Sequence, residues 1–421
     1  MDYLTSFTNK FHRVFMSSIH VFGSVTARSR AEKADHSTDR TGYPFVFVHG
    51  FFGWGQYEKS HKTLPYWGML TGSLIESINK SGFEASAASV DPAGSAWDRA
   101  CELYAQIAGT RVDYGRAHSE KYGHPRYGED YTGRPLVKKW DSENKINIIC
   151  HSFGGPTCSL LASILENGAP EEAAITTDGT LSEFFKGGKG DYIYSIVGLA
   201  ATYNGTSLPI NHQAIKDTGD YLNSLFSSKL SVVPKPVLGV FNFLPTQFFN
   251  MLSKAASGEV ADEDTGIYDM SPDKTALLNE KYKPLDNIYY FSVPHDATKL
   301  SKDGTHLVPD NSVADYLFTP LIPILGRTDT VTDGGMVLGK EWQPNDGLVN
   351  TVSATAPFNA KRKAIDKDPS AELAKEGFEK GVFNVLKTYR GTHMALMGNV
   401  LRPDPKALNY LLDLMLMINA L

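Results

Sequence analysis

Three short stretches carry the residue types of covalent acyl transfer. INIICHSFGG (Ile146–Gly155) places Ser152 between an apolar run and a glycine pair, NDGLVN (Asn345–Asn350) offers Asp346 in a glycine turn, and YRGTHM (Tyr389–Met394) offers His393 near the C-terminus. A serine hydroxyl is a weak nucleophile at neutral pH. It needs a base to take its proton and an acid to orient that base. Serine, acid, histidine is one of the chain orders in which such a set occurs. Taken singly, each residue also has an ordinary reading: a serine in a strand-to-helix turn, an Asp-Gly turn, a surface or core histidine. Order and placement together turn all three toward catalysis. The oxyanion of a tetrahedral intermediate needs backbone N–H donors. The natural ones are Phe153, directly after the serine, and Phe51, in the turn His49-Gly50-Phe51-Phe52-Gly53 after an apolar run.

These groups require particular elements to present them. Ile146–Cys150 has the pattern of a buried strand and Thr157–Leu165 that of a helix, so Ser152 stands on the turn between them. Such an elbow is tight and wants small residues two before and two after the serine. Gly154 fills the second position and Cys150 the first, so the strict G-x-S-x-G pattern is broken by a residue that is still small. Tyr43–Gly50, Phe83–Val90, Tyr192–Ala200 and Asn287–Val293 read as further strands, Leu70–Lys80 as a helix and Ala407–Leu421 as a final core helix. Alternating strands and helices predict an α/β fold, a mostly parallel sheet with helices on both faces. Residues 28–42 read as a polar linker, 91–142 as an insertion rich in Tyr, Gly, His and charge, and 205–260 as amphipathic segments broken by prolines.

Composition narrows the class. The 421 residues are 42% hydrophobic and 21% charged, ordinary for a globular protein. A net charge of −6 and a pI near 6.1 provide no basic field, so no nucleic-acid partner is expected. Cys101, Cys150 and Cys158 cannot build a disulfide framework and read as small buried residues. No apolar run is long enough for a transmembrane helix. At the N-terminus, Lys10 and Arg13 precede Val14–Phe22, and Val25-Thr26-Ala27 could end a signal peptide. An amphipathic N-terminal helix reads equally well.

The chain resembles the zinc-containing α/β-hydrolase lipases of thermophilic bacilli and staphylococci. The resemblance is carried by VHGFFGWG at 48–55, WDRACELYAQ at 97–106, VDYGRAHSEKYGH at 112–124, IICHSFGG at 148–155, DTGIYD at 264–269 and NDGLVNTVS at 345–353, and spans roughly 43–415. It implies an α/β-hydrolase fold with a triad of Ser152, Asp346 and His393 and oxyanion donors Phe51 and Phe153, in agreement with the residue-level reading. It also implies a structural zinc ion held by Asp98, His118, His124 and Asp264, a donor set that suits a closed tetrahedral site. Alone, Asp98 could as well cap a helix through Arg99–Ile107. The family's calcium-binding acids fall on Ala395 and Val400, which cannot ligate, so no calcium is expected there. The family's T-P-H segment reads Thr202-Tyr203-Asn204.

The organisation expected is an extension and linker over 1–42 and a hydrolase domain over 43–421, with a zinc-binding insertion at 91–142 and a helical lid region at 205–260. Tyr221, Leu222, Leu225 and Phe226, with Phe241, Phe243, Leu244, Phe248, Phe249, Met251 and Leu252, would form an apolar lid face that covers the site in water. Ordinary core packing is the other reading. The activity expected is hydrolysis of medium- to long-chain acyl esters such as triacylglycerols, or of aliphatic polyesters, at an interface, by an extracellular monomer. Rival readings are a short-chain carboxylesterase, an acyltransferase, a non-catalytic lipid-binding protein and a metallohydrolase.

Overall fold

The computed structural model describes residues 41–69, 72–210, 263–313, 318–398 and 405–421. Nearly all of the N-terminal extension, the lid residues named above and Val400 lie outside them. Seven strands form one sheet: β1 Phe45–Val48, β2 Ala85–Ala88, β3 Ile146–His151, β4 Ile193–Leu199, β5 Tyr289–Val293, β6 Arg362–Ala364 and β7 Phe383–Val385. Their spatial order is β6-β7-β5-β4-β3-β1-β2, and every neighbouring pair is parallel. The mostly parallel α/β expectation therefore holds. All six residues of β3 are buried, as a central parallel strand covered on both faces requires.

Side-chain alternation along the strands sorts the core into two layers. Val46 and Val48 of β1 join Ile146, Ile148 and Cys150 of β3 on one face, beneath α2 (Ala96–Ala108) and α4 (Gly154–Asn167). Phe45 and Phe47 join Ile149, Trp67 and Phe291 on the other, beneath α1 (Leu74–Lys80) and α7 (Pro405–Asn419). The last helix contributes Leu411, Leu414, Met415 and Ile418 to that second layer. It is a core helix, as its apolar run suggested.

The insertion is more ordered than its composition suggested. Arg111–Asp113 pairs antiparallel with Tyr127–Asp130, and α3 (Arg116–Tyr122) lies between them. The Glu172 carboxylate, on α5 (Pro170–Ile175), accepts the N–H groups of Ala117 and His118 at 2.9 and 2.8 Å and so satisfies the open first turn of α3. Helix α2 is capped by Ser95, whose Oγ accepts the Asp98 N–H at 3.2 Å. The Asp98 side chain is thereby left for other work. Helix α6 (Pro272–Lys281) and strands β6 and β7 had no clear signal in the sequence.

A fully buried arginine ties the layers to the loops above the sheet. Arg99, on α2, donates to the carbonyls of Asp91 and His49 at 2.6 Å each and to Thr157 Oγ1 at 3.0 Å. Its guanidinium also lies over the Phe153 ring, 5.2 Å from the centroid. The loops after β1 and β2 and the first turn of α4 are thus held by one cation, whose pKa burial lowers to about 10. Replacing Arg99 by Met leaves the buried His49 carbonyl and the part-buried Asp91 carbonyl without this donor, at about 1–3 kcal/mol for a buried one. Arg99→Met is expected to lower stability by about 2–4 kcal/mol, read as a lower urea midpoint at unchanged slope.

Candidate active site and metal centre

Ser152 follows the C-terminal end of β3 with φ of +55°, a left-handed conformation that a non-glycine residue holds only when its surroundings enforce it. Three backbone bonds do so. The Ser152 N–H donates to Leu199 O at 3.0 Å, and its carbonyl accepts from Gly155 N at 3.0 Å and Thr202 N at 3.2 Å. The surrounding small residues are sterically required. A Cβ on Gly50 would stand 2.6 Å from Ser152 Cβ, one on Gly154 2.8 Å from Val48 O, and one on Gly155 2.6 Å from Ala201 Cβ. Cys150 is tolerated because its side chain turns into the core, where Sγ donates to Val197 O at 3.2 Å.

Asp346 and His393 meet. His393 Nδ1 lies 2.8 Å from Asp346 Oδ2, with both side chains buried. The other carboxylate oxygen, Oδ1, accepts the N–H groups of Leu348 and Val349 at 3.0 and 2.8 Å, so the Asp-Gly turn itself holds the acid. The His393 backbone N–H donates to Asp346 O at 3.0 Å. The carboxylate can only accept, so His393 Nδ1 carries the proton and Nε2 is left as the basic atom. The loop before His393 is anchored as well. Tyr389–Arg390 pairs parallel with His295–Asp296, and Arg390 donates to Asp296 Oδ2, Thr298 O and Asp310 Oδ2 at 2.5, 2.6 and 3.1 Å. Ala395 sits in the 3₁₀ turn just beyond.

Phe51 and Phe153 converge from separate loops, their ring centroids 6.3 Å apart and edge-on. Phe153 precedes α4, where first-turn N–H groups lack intrahelical acceptors and point outward. Gly266 packs against both rings: a Cβ there would lie 2.8 Å from Phe153 Cε1 and 3.0 Å from Phe51 Cε2.

One member of the second constellation, Asp264, lies two residues before Gly266 in the chain. Asp98 on α2, His118 on α3, His124 just beyond α3 and Asp264 each direct one ligand atom to a common point, all within 4.8 Å of one another. His118 Nε2 lies 3.1 Å from Asp98 Oδ1 and 3.2 Å from Asp264 Oδ1, and His124 Nε2 lies 3.3 Å from Asp264 Oδ2. The Trp97 ring stacks on His118 at 5.2 Å. His118 is pushed up to about 9: burial would lower it, but the hydrogen bonds and charges of Asp264 and Asp98 more than reverse that. Two carboxylates and two imidazoles converging this closely form an electron-rich cage that fits a cation. The four residues predicted as ligands are brought together. Residue-level reading missed the braces Glu172, Arg99 and Arg390. Arg99 lay inside a quoted motif, but nothing local said that its guanidinium would turn inward.

Comparison with known proteins gives the chain a family. Residues 41–400 match the family described as lipase-like, C-terminal domain. The lipase of Staphylococcus hyicus is 33% identical over 373 residues, covering 85% of this chain and 54% of that protein. The chain thus spans about half the length of the curated relatives it matches. Among solved structures, EstA from Clostridium botulinum superposes with a TM-score of 0.71 at 31% identity, over 91% of this chain and 88% of that one. Lipase 1 from Pelosinus fermentans does so with a TM-score of 0.69 at 30% identity, over 90% and 99%. With a family match across most of its length, and relatives that share the sheet, this chain belongs to the lipase-like C-terminal domain family.

Proposed function

We propose that the chain is a serine ester hydrolase acting on medium- to long-chain acyl esters. The observation that carries the reading is the Asp346–His393 pair at 2.8 Å, together with a left-handed serine at the end of β3 whose preceding residue, His151, has its ring 4.5 Å from that of His393. In this reading His393 Nε2 takes the Ser152 proton as Oγ attacks the ester carbonyl. Asp346 steadies the imidazolium, and the Phe51 and Phe153 N–H groups receive the developing oxyanion. His393 then hands its proton to the leaving alcohol, and water, activated by the same histidine, releases the acid. The acyl-length preference and the lid over 205–260 rest on the apolar residues of that segment and on the family. An extracellular monomer is part of the same proposal. Among the described residues, no helix is long and apolar enough to cross a membrane.

Hydrolysis of p-nitrophenyl esters from acetate to palmitate is the direct test. The wild-type chain is expected to prefer octanoate or longer, and Ser152→Ala to lose at least about 1,000-fold in kcat. A preference for acetate or butyrate would replace the long-chain reading with a short-chain esterase, and an active Ser152→Ala would overturn the mechanism.

The cation proposed for the Asp98–His118–His124–Asp264 cage is zinc, in a structural role. Bonds of about 2.0–2.1 Å to a tetrahedral ion set ligand atoms about 3.3 Å apart; the imidazole-to-carboxylate separations of His118 to Asp98, His118 to Asp264 and His124 to the other Asp264 oxygen are 3.1, 3.2 and 3.3 Å, and the four ligand atoms lie within 4.8 Å of one another. Four protein donors leave no position for water or ester, which separates this centre from the ester chemistry. The purified chain is expected to carry about one zinc per molecule by elemental analysis. His118→Ala should lose the metal, and chelation should lower the thermal midpoint. Chelation that abolished activity while leaving the midpoint unchanged would favour a metal-dependent hydrolase instead.

A further inference from the structure

Two buried side chains outside the triad connect its parts. His151, the residue before the nucleophile, is 1% exposed and its ring lies 4.5 Å from that of His393. Its Nε2 is 3.0 Å from the His393 carbonyl oxygen and its Nδ1 is 2.5 Å from Tyr66 Oη. Tyr66, 3% exposed, accepts the Gly50 N–H at 3.2 Å. Trp54, Trp67 and His49 surround it at ring separations of 5.6 Å, and Trp54 is itself fixed by its Nε1–H bond to Leu64 O at 2.7 Å.

The chemistry of the two ends sets the direction of every bond. A carbonyl only accepts, so His151 Nε2 carries a hydrogen. An amide N–H only donates, so Tyr66 Oη is an acceptor toward Gly50. Burial, with His393 and His295 close by, holds the His151 pKa well below the usual imidazole value, so the ring is neutral and its Nδ1 is an acceptor. The Tyr66 hydroxyl proton must then point at Nδ1. The result is one continuous chain, Gly50 N–H to Tyr66, Tyr66 O–H to His151, His151 N–H to the His393 carbonyl.

One end of this chain is the peptide next to the Phe51 N–H. The Gly50 carbonyl accepts from Gly53 N at 3.1 Å and lies 2.8 Å from His49 Nδ1, which must donate to it. Within a planar peptide, the direction of the Gly50 carbonyl sets that of the Phe51 N–H. The other end is the backbone of the base. His295 assists there, its Nδ1 lying 3.2 Å from the neighbouring carbonyl of Thr392.

We propose that Tyr66 and His151 are positioning residues, a neutral hydrogen-bonded tie that holds the loop of the Phe51 oxyanion donor and the backbone of His393 in register across the Ser152 elbow. The inference rests on the serine-hydrolase reading. The tie touches neither substrate nor reacting atoms. It acts by fixing where the oxyanion donor and the base stand relative to one another, and errors of about 1 Å in such placement can cost about 100-fold in rate.

The test uses the full chain, with p-nitrophenyl octanoate, on Tyr66→Phe, His151→Leu, His151→Gln, the Tyr66→Phe/His151→Leu double variant and Ser152→Ala. Thermal midpoints and the low-field proton signal of His393 Nδ1–H are recorded for each. Tyr66→Phe and His151→Leu are each expected to lower kcat about 10- to 100-fold with KM within about twofold, and to shift the His393 signal. The double variant should be no worse than the poorer single, because both cut one chain. His151→Gln keeps a donor at the Nε2 position and should recover much of the loss seen with leucine. A wild-type kcat in Tyr66→Phe beside a dead Ser152→Ala would overturn the tie and leave the hydrolase reading standing. So would losses that multiply in the double variant, or a lower midpoint with an unmoved His393 signal. An active Ser152→Ala would remove the reading on which the tie depends.

Discussion

A serine held at φ +55° is the constraint around which the molecule is arranged. A left-handed non-glycine residue costs of order 1–3 kcal/mol and persists only when neighbours over-determine it. The neighbours here are backbone groups from β4 and the loop after it, which bond both the N–H and the carbonyl of Ser152. That arrangement fits the place of β3 in the sheet, between β4 and β1. It also accounts for the small residues nearby. Gly50, Gly154 and Gly155 leave no room for a Cβ, and Cys150 is accepted because its thiol finds a carbonyl in the core.

The charged groups follow a related logic. Burying a charge is costly unless its hydrogen-bonding capacity is met. Arg99 meets it with two carbonyls and a hydroxyl, Glu172 with two N–H groups of a helix turn, and Asp346 with two turn N–H groups and an imidazole. Each ties together segments far apart in sequence or fixes a turn that presents a functional side chain. The neutral histidines complement them. His49, His151 and His295 are all kept uncharged by burial and serve as directed donors to carbonyls.

Much of this was legible in the sequence, for identifiable reasons. β1 is a continuous apolar run and β3 and β4 are mostly apolar, the signature of strands buried on both faces, and each was placed within about two residues. The meeting of Asp346 and His393 was legible because the chain order of serine, acid and histidine is characteristic and both residues lie in glycine turns. The clustering of Asp98, His118, His124 and Asp264 was legible only through the family, since His118 and His124 six residues apart say little alone. What stayed hidden depends on distant partners. β6 and β7 are three residues each and find their place only beside β5. The strand pair at 111–113 and 127–130 is mostly polar and part-exposed, so it lacks the apolar alternation that marks a strand. Arg390 gave no signal that it would join Asp296 to Asp310, because that contact is made across the fold.

The division of the core into two layers has a consequence for how this protein fails. Phe153 and α2, the helix bearing Asp98, belong to the layer beneath α2 and α4, whereas Met394, next to His393, belongs with α7 to the layer beneath α1. Phe153 and the residue after His393 are therefore rooted in different hydrophobic layers. Layers of a sheet can open separately, each with its own free energy. Loosening of either one would shift Phe153 relative to His393 while the other remains packed. Where the two layers open separately, that shift on heating would report the weaker layer and precede the collapse of the whole domain.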